Sequence, residues 1–217
     1  MPALARSAAD FLPARKTLAS LRKAAAGCRG CDLYKDATQT VFGEGPARAA
    51  ALFVGEQPGD REDREGHPFV GPAGALLRNA MDAAGIAPAD VYITNAVKHF
   101  KFVWRGKRRI HATPKRIEVR ACEPWLFEEI KAVKPRLVVA LGATAAQALL
   151  GPSFRLTQHR GEVVASPYAP RVVATVHPSS ILRAIDEDAR RVEMAAFVDD
   201  LGVVARLLKE PAEAPRA

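Results

Sequence analysis

Four short apolar stretches recur along the chain, each bounded by turn-forming residues. They are rich in β-branched residues and continuously apolar, which is the pattern of strands buried on both faces of a parallel sheet. The predicted strands are residues 50–55, 91–97, 136–142 and 171–177.

Helical patterns occupy the segments around these strands, at residues 14–26, 73–85, 119–133, 143–151 and 187–209. The alternation predicts a three-layer α/β/α fold with a central four-stranded parallel sheet and right-handed crossovers. No linker divides the chain. We therefore expect a single domain over residues 1–217, with its core at about 28–209 and a frayed tail at 211–217.

Polar and glycine-rich residues fall where the predicted strands end. These ends are GEQPGD after the first strand, Asn95 in the second, Gly142 after the third and HPSS after the fourth. In open parallel sheets, ligands bind beyond the carboxyl ends of the strands. The sequence therefore predicts a functional site at this edge.

The composition favours a polyanionic partner. A formal charge of +8 and a pI of about 9.7 are high for an enzyme of small metabolites. No apolar run reaches the ~18 residues of a membrane helix, and the first residues lack the apolar core of a secretory signal. We expect a cytoplasmic protein, in which three cysteines favour metal or thiol chemistry over disulfides.

The pair Cys28 and Cys31, in CRGC, is typical of a metal site. A redox role is disfavoured because the pair follows a predicted helix rather than a strand. Cys122 would be a third ligand and His99 is the best-placed fourth. Such a set suits either zinc or an iron–sulfur cluster. The alternative is a structural thiol at Cys122 with an exposed pair.

Three strand-end residues are candidates for chemistry on a ligand. Glu56 lies where a catalytic carboxylate would, or else it caps a helix. Asn95 interrupts an apolar strand, and its amide could read a base edge or brace a turn. His177 could donate to a developing anion as a neutral imidazole. We expect His67 and His159 to be surface residues.

The segment 104–114, WRGKRRIHATP, combines four cations with His111. Alone, this is the pattern of a solvated basic loop with an incidental histidine. It could instead contact nucleic-acid phosphates and place the histidine near a substrate. The cations are Arg105, Lys107, Arg108 and Arg109.

Taken together, GEQPG, HPFVGPAG, TNAVKH, a late cysteine and VHPSS resemble the uracil-DNA glycosylase superfamily, in the iron–sulfur branch that contains the family 4 enzymes. The resemblance runs from about Cys28 to Leu182. Family 4 typically has Ala in place of Gln57 and Cys in place of His99. These departures and the insert GKRRIH are similar to the UdgX branch, which becomes covalently bonded to the DNA that it has deglycosylated.

The resemblance implies a [4Fe–4S] cluster and a uracil pocket. The cluster ligands would be Cys28, Cys31, His99 and Cys122, and the pocket would comprise Glu56, Gln57, Phe69, Asn95 and His177. Phe69 would stack on the base, and Asn95 would pair with uracil and reject cytosine. Glu62 is the candidate for excluding thymine.

The same resemblance implies a mechanism. His177 would stabilise the departing uracil anion, and His111, oriented by Glu56, would attack the sugar C1′. The four cations of the insert would hold phosphates and so position His111.

We expect the partner to be uracil-containing DNA, preferably single-stranded, and the protein to act as a monomer without a nucleotide cofactor or a membrane. Two alternatives stay open. One is a conventional, multiple-turnover glycosylase related to family 4, in which water attacks C1′. The other is a catalytically silent, metal-bearing protein that binds single-stranded DNA. The silent DNA-binding protein is disfavoured by the joint presence of Glu56, Asn95 and His177. His111 distinguishes the self-attaching glycosylase from the conventional one.

Overall fold

The structure, a computed structural model, describes residues 7–211 and centres on a five-stranded sheet. Its strands lie in the order β2-β1-β5-β7-β6, and a separate hairpin pairs β3 with β4. The strands are β1 (Ala51–Gly55), β2 (Val91–Asn95), β3 (Phe102–Arg105), β4 (Arg108–His111), β5 (Leu137–Leu141), β6 (Val163–Ser166) and β7 (Ala169–Thr175).

Seven α-helices accompany these strands in the described part of the chain. They are α1 (Leu18–Ala25), α2 (Asp60–Glu65), α3 (Pro72–Ala83), α4 (Arg116–Val133), α5 (Ala143–Leu150), α6 (Pro178–Leu182) and α7 (Glu187–Lys209). Short 3-10 turns lie at Ala8–Phe11, Asp32–Lys35, Pro88–Asp90 and Leu156–Gln158.

The three-layer α/β/α prediction is confirmed, with one correction to the sheet. The four predicted strands are present and parallel, but β6 adds a fifth strand that runs antiparallel to β7. β6 is an edge strand whose residues alternate between exposed and half-buried, so it lacks the continuous apolar pattern of the others. The predicted tail lies outside the described residues from 212 onward.

Each face of the sheet carries its own apolar core. On one face, β1 and β5 pack against α1, α4 and α5 through residues such as Leu21, Trp125 and Leu149. On the other, they pack against α3, α6 and α7, where Leu77 and Phe197 are fully buried. Every residue of β1 and β5 is buried, as their unbroken apolar sequences require.

The strand order places a crevice at the carboxyl ends of β1 and β5. The chain passes from β1 to β2 on one side and later reaches β5 on the other, so the connections diverge between β1 and β5. Ligands bind at such divergence points in open α/β sheets. Among residues 7–211, no helix is long and apolar enough to cross a membrane.

Candidate active site

A cavity of about 780 Å³ opens at this edge of the sheet. All seven residues predicted to act on the base or the sugar line it: Glu56, Gln57, Glu62, Phe69, Asn95, His111 and His177. They come from the ends of three strands, from the loop after β1, from α2 and the loop that follows it, and from the hairpin. The fold therefore brings together groups that are up to 121 residues apart (177 − 56) in the chain.

Glu56 is held between two partners. Its Oε1 lies 3.2 Å from His111 Nε2, and its Oε2 accepts a hydrogen bond of 2.5 Å from Thr144 Oγ1. Burial alone would raise the pKa of Glu56, but the hydrogen bonds with His111 and Thr144 outweigh it and leave the pKa below its usual value. The carboxylate is therefore ionised at neutral pH and available to orient an imidazole.

His177 is fixed as a neutral donor at the N-terminus of α6. Its Nδ1 accepts a hydrogen bond from the Ser179 backbone N–H at 3.2 Å. Burial lowers the pKa of His177 to about 4, so the ring is neutral at physiological pH. Since Nδ1 is the acceptor, the single ring proton resides on Nε2, which can donate to a ligand in the cavity.

Phe69 has an unusual backbone conformation that orients its ring. Its φ of 55° is in the left-handed region, which costs energy for a bulky residue. Arg78 Nη1 donates to the Phe69 carbonyl at 2.9 Å, and a Cβ at Gly74 would come within 1.7 Å of the same oxygen. The ring lies 5.9 Å from that of His177, centroid to centroid. It forms an aromatic wall of the cavity.

Asn95 presents an unsatisfied amide oxygen. Its Oδ1 is buried and has no hydrogen-bond partner among the described residues. A Cβ at Gly55 would lie 2.3 Å from this oxygen and 2.6 Å from Phe69 Cζ, so only glycine lets β1 pass so close. A buried, unpaired amide costs free energy unless a ligand satisfies it. The amide is therefore poised for a ligand with a complementary donor.

The basic insert is a β-hairpin rather than a loop, and Arg109 joins it to α2. Arg109 forms ion pairs with Asp60 at 2.5 Å and with Asp63 at 2.7 Å, and its side chain is only 7% exposed. Its guanidinium also lies over the Phe100 and Phe102 rings. The guanidinium of Arg109 is therefore paired within the protein, and that Arg109 contacts phosphate stays a prediction.

Gln57 holds the base of the same hairpin. Its Oε1 accepts from the Lys101 backbone N–H at 3.0 Å, and its Nε2 donates to the carbonyls of Lys101 and Ala112, each at 3.1 Å. The amide of Gln57 is therefore paired within the protein, and that Gln57 contacts the base stays a prediction. These hydrogen bonds of Gln57 fix both chain segments that flank the hairpin, and thereby His111.

Glu62 connects the two loops that border the cavity. It accepts hydrogen bonds from the backbone N–H groups of Gly59, at 3.1 Å, and of Gly71, at 2.8 Å. These bonds give the residue a structural role. That Glu62 excludes thymine stays a prediction.

The three remaining cations lie at the exposed tip of the hairpin. Arg105, Lys107 and Arg108 form no ion pair or side-chain hydrogen bond within residues 7–211. Unlike Arg109, they are available to an external anion.

The cysteines lie in or against the apolar core on the face of the sheet that packs against α1 and α4. The Lys98 backbone N–H donates to Cys122 Sγ and Trp125 Nε1 donates to Cys28 Sγ, each at 3.2 Å. All three thiols are free, and Cys31 lies close enough to interact electrostatically with Cys28 and Cys122. Within the described chain, no group of three or more His, Cys, Asp or Glu is arranged to hold a metal ion.

His99 has one nitrogen engaged and one free. Its Nε2 lies 2.9 Å from Thr40 Oγ1, whereas its buried Nδ1 has no partner among the described residues. Burial lowers the pKa of His99 to about 4, which keeps the ring neutral. A neutral imidazole with its second nitrogen hydrogen-bonded is the usual form of a metal-ligating histidine.

The geometry of this edge of the sheet agrees with the protein family that the sequence matches. Residues 42–202 match the family model described as "Uracil DNA glycosylase superfamily". The chain belongs to the uracil-DNA glycosylase superfamily.

Type-4 uracil-DNA glycosylases are among the relatives of this superfamily member. It is 37% identical over 173 residues to the type-4 enzyme of Pyrobaculum aerophilum, covering 76% of this chain and 85% of the relative. Identity to the Thermotoga maritima enzyme is 37% over 166 residues, covering 76% and 83% of the two chains. For Archaeoglobus fulgidus it is 36% over 162 residues, covering 71% and 78%.

Some residues of this glycosylase-family site were not predicted from the sequence. Thr144 and Ser179 follow the carboxyl ends of β5 and β7, so the rule that located the site could also have found them. Asp60 ends the GEQPGD segment after the first strand, whereas Asp63 carries no such signal, and the pairing of both with Arg109 was not predicted. Both surface histidines are confirmed as exposed side chains paired with glutamates: His67 with Glu44 and His159 with Glu162.

Proposed function

We propose that this protein excises uracil from DNA and then becomes bonded, through His111, to C1′ of the abasic sugar. The observation that carries the proposal is the position of His111 Nε2, 3.2 Å from Glu56 Oε1. This pair lines the same cavity as Asn95 and His177. A nucleophile, its orienting carboxylate and a donor for the leaving group therefore share one site.

Uracil recognition would depend on Asn95 and Phe69. A base inside a duplex cannot reach the cavity, so the target nucleotide is extruded or already unpaired. The unpaired Oδ1 of Asn95 accepts from uracil N3–H, and the amide NH₂ donates to O4. Cytosine presents the reverse pattern and leaves these buried groups unpaired. The Phe69 ring supplies the stacking surface.

Cleavage of the glycosidic bond produces a uracil anion and a cationic sugar, and the site has a group that stabilises each. The bond between C1′ and uracil N1 breaks with its electron pair going to uracil, and the sugar becomes oxocarbenium-like. Nε2–H of neutral His177 donates to uracil O2 and stabilises the anion. The ionised Glu56 stabilises the positive charge that develops on the sugar. Uracil then takes a proton from solvent.

His111 competes with water for the cationic sugar. A lone pair of the neutral imidazole forms a C–N bond to C1′, and the ring becomes cationic beside the Glu56 carboxylate before it loses a proton to solvent. Expelling an imidazole anion is harder than expelling the uracil anion that His177 stabilises. The adduct is therefore long-lived and the protein acts once.

The hairpin would bring this nucleophile to the DNA. Arg105, Lys107 and Arg108 contact phosphates, while Arg109 and Gln57 hold the hairpin on the protein. Holding a nucleophile within reach of its target can replace much of the entropic cost of attack.

An iron–sulfur cluster is part of the proposal. The residues that would hold it are Cys28, Cys31, His99 and Cys122. The free Nδ1 of His99 and the N–H groups directed at two of the sulfurs fit such a cluster. A bound cluster would join the segment after α1 to α4.

The proposal is tested by measuring the released uracil and, by mass spectrometry, the mass of the protein. With excess uracil-containing single strands, we expect about one uracil per chain, and a matching gain in protein mass on the peptide that contains His111. Continued release without a gain in mass would identify the conventional glycosylase. Binding without release would identify the silent DNA-binding protein.

A further inference from the structure

Three aromatic rings form a row along the hairpin and its approach. The Phe100 and Phe102 rings stack at 5.2 Å, and Trp104 meets Phe102 edge-on at 5.5 Å. The guanidinium of Arg109 covers Phe100 and Phe102, at 5.4 and 5.0 Å from their centroids. Trp104 lies beyond this cover and is 64% exposed. Its indole is therefore the most exposed ring of the row.

The surroundings of Trp104 are cationic. No acidic residue occurs between residues 102 and 111. Arg105, Lys107 and Arg108 have no anionic partner within the described chain. An exposed aromatic ring among unpaired cations is the combination by which proteins bind single-stranded nucleic acid, through base stacking and phosphate contacts.

The register of the hairpin places Trp104 on the His111 side. Phe102 pairs with His111, and Trp104 pairs with Arg109. Side chains of opposed residues, and of residues two apart in a strand, share one face. Trp104 is therefore on the face that carries His111, about 7 Å further towards the tip. A nucleotide next to the one that reaches His111 would lie within range of the indole.

We propose that Trp104 is a stacking site for an unpaired base adjacent to the target uracil. The inference rests on the proposed function, because it assumes that His111 marks the target nucleotide. A neighbouring base in a duplex stays paired and stacked, whereas in a single strand it can turn onto the indole. Trp104 thus contributes a preference for single-stranded DNA.

The chain offers an internal spectroscopic test. It has two tryptophans, and Trp125 is fully buried with its Nε1 bonded to Cys28 Sγ. The emission of a solvated indole therefore reports Trp104. Titration with uracil-free single strands should quench this emission, and the quenching should be absent in Trp104→Phe. Lack of quenching in the wild type would overturn the proposal.

Affinity measurements separate stacking from general contact. Trp104→Leu keeps an apolar side chain but has no π face, and should weaken binding to uracil-free single strands by at least about fivefold. Trp104→Phe should retain most of the affinity, and the loss on duplex DNA should be smaller. Val103→Ala, on the opposite face of the hairpin and also exposed, is the matched control. Equal affinities of Trp104→Leu and wild type would overturn the proposal.

These measurements are independent of uracil excision. If wild-type protein neither releases uracil nor forms an adduct while Trp104→Leu still loses affinity, the proposed function fails. Trp104 then remains a stacking site for single strands, but its position next to a target uracil is refuted. If adducts form but Trp104→Leu binds single strands normally, only the stacking site is refuted.

Discussion

At the scale of single residues, Asn95 offers the ligand a hydrogen-bond acceptor and His177 offers it a donor. Asn95 keeps a buried oxygen without a partner, and His177 keeps its only ring proton on the nitrogen that can face the cavity. Both lie at strand ends, which is why their positions could be predicted from the sequence. Their hydrogen-bonding states could not, because those depend on Gly55, Phe69 and Ser179 in three dimensions.

Replacing Asn95 tests the recognition of uracil. Asn95→Ala removes both hydrogen bonds to the base, and we expect single-turnover uracil release to fall at least about a hundredfold. Asn79→Ala, an exposed asparagine of α3, is the control and should release uracil normally. Release by Asn95→Ala at the wild-type rate would show that the base is read elsewhere.

His177 should also leave a signature in the pH dependence of stability. Its pKa is about 4 in the folded protein, against 6.5 for an unperturbed histidine. Between these values the unfolded chain takes up a proton here that the folded chain does not, so the free energy of unfolding falls as pH falls. We expect a loss below about 3 kcal/mol, because part of the ring reaches solvent.

Denaturant unfolding of wild type and His177→Asn at several pH values measures the contribution of His177 to the pH dependence of the free energy of unfolding. Asparagine retains a good helix-capping acceptor but does not titrate. Its curve should therefore be flatter between pH 6.5 and pH 4. Parallel curves for the two proteins would contradict a buried, neutral His177.

At the scale of elements, the hairpin and α2 are, like β6, parts of the fold that the sequence did not reveal. The main strands were predictable because their apolar runs are continuous. β3 and β4 instead carry charged residues around a turn at Gly106, which has a φ of 57°. All six residues of α2 are charged, so the segment has no apolar period. Both elements are held by Arg109, across 46 to 49 residues of chain.

Arg109 therefore tests whether the position of the hairpin controls adduct formation. Arg109→Ala leaves Asp63 buried without its cation and releases the hairpin from α2. Small displacements of a reacting group can cost about a hundredfold in rate. We expect adduct formation to slow by about ten- to hundredfold, while uracil release declines less.

Arg61→Ala is the matched control for this experiment. Arg61 lies on α2, is exposed and pairs only with Glu65 in the described structure, so its loss removes the same charge without freeing the hairpin. Its adduct rate should equal that of the wild type. Equal slowing of both variants would mean that charge, and not the attachment of the hairpin, governs the rate.

At the scale of the whole molecule, Lys98 connects the cysteine region with a residue of the cavity. The buried ammonium of Lys98 pairs with Glu129 and donates to the backbone carbonyl of Asn95 at 2.8 Å. The backbone N–H of the same residue donates to Cys122 Sγ. The spacing of Cys28 and Cys31 indicated a metal site, which stays a prediction. The connection to the cavity through Lys98 could not be predicted, because it depends on residues from β2 and α4 together.

The cluster proposal predicts a yellow-brown protein with about four irons per chain when purified without oxygen. His99→Ala should lose iron and visible absorbance, because it removes one proposed ligand. His159→Ala, which removes an exposed histidine paired with Glu162, should retain both. Stoichiometric zinc without iron in the wild type would contradict the cluster.

The most direct test of the account is a denaturing gel of protein mixed with a labelled, uracil-containing single strand. We predict that the wild type forms a one-to-one complex that survives boiling in detergent and requires uracil in the DNA. His111→Ala should release uracil and leave abasic DNA without such a complex, because Glu56, Asn95 and His177 remain in place. A boiling-resistant complex in His111→Ala, or uracil release by the wild type without one, would contradict covalent attachment through His111.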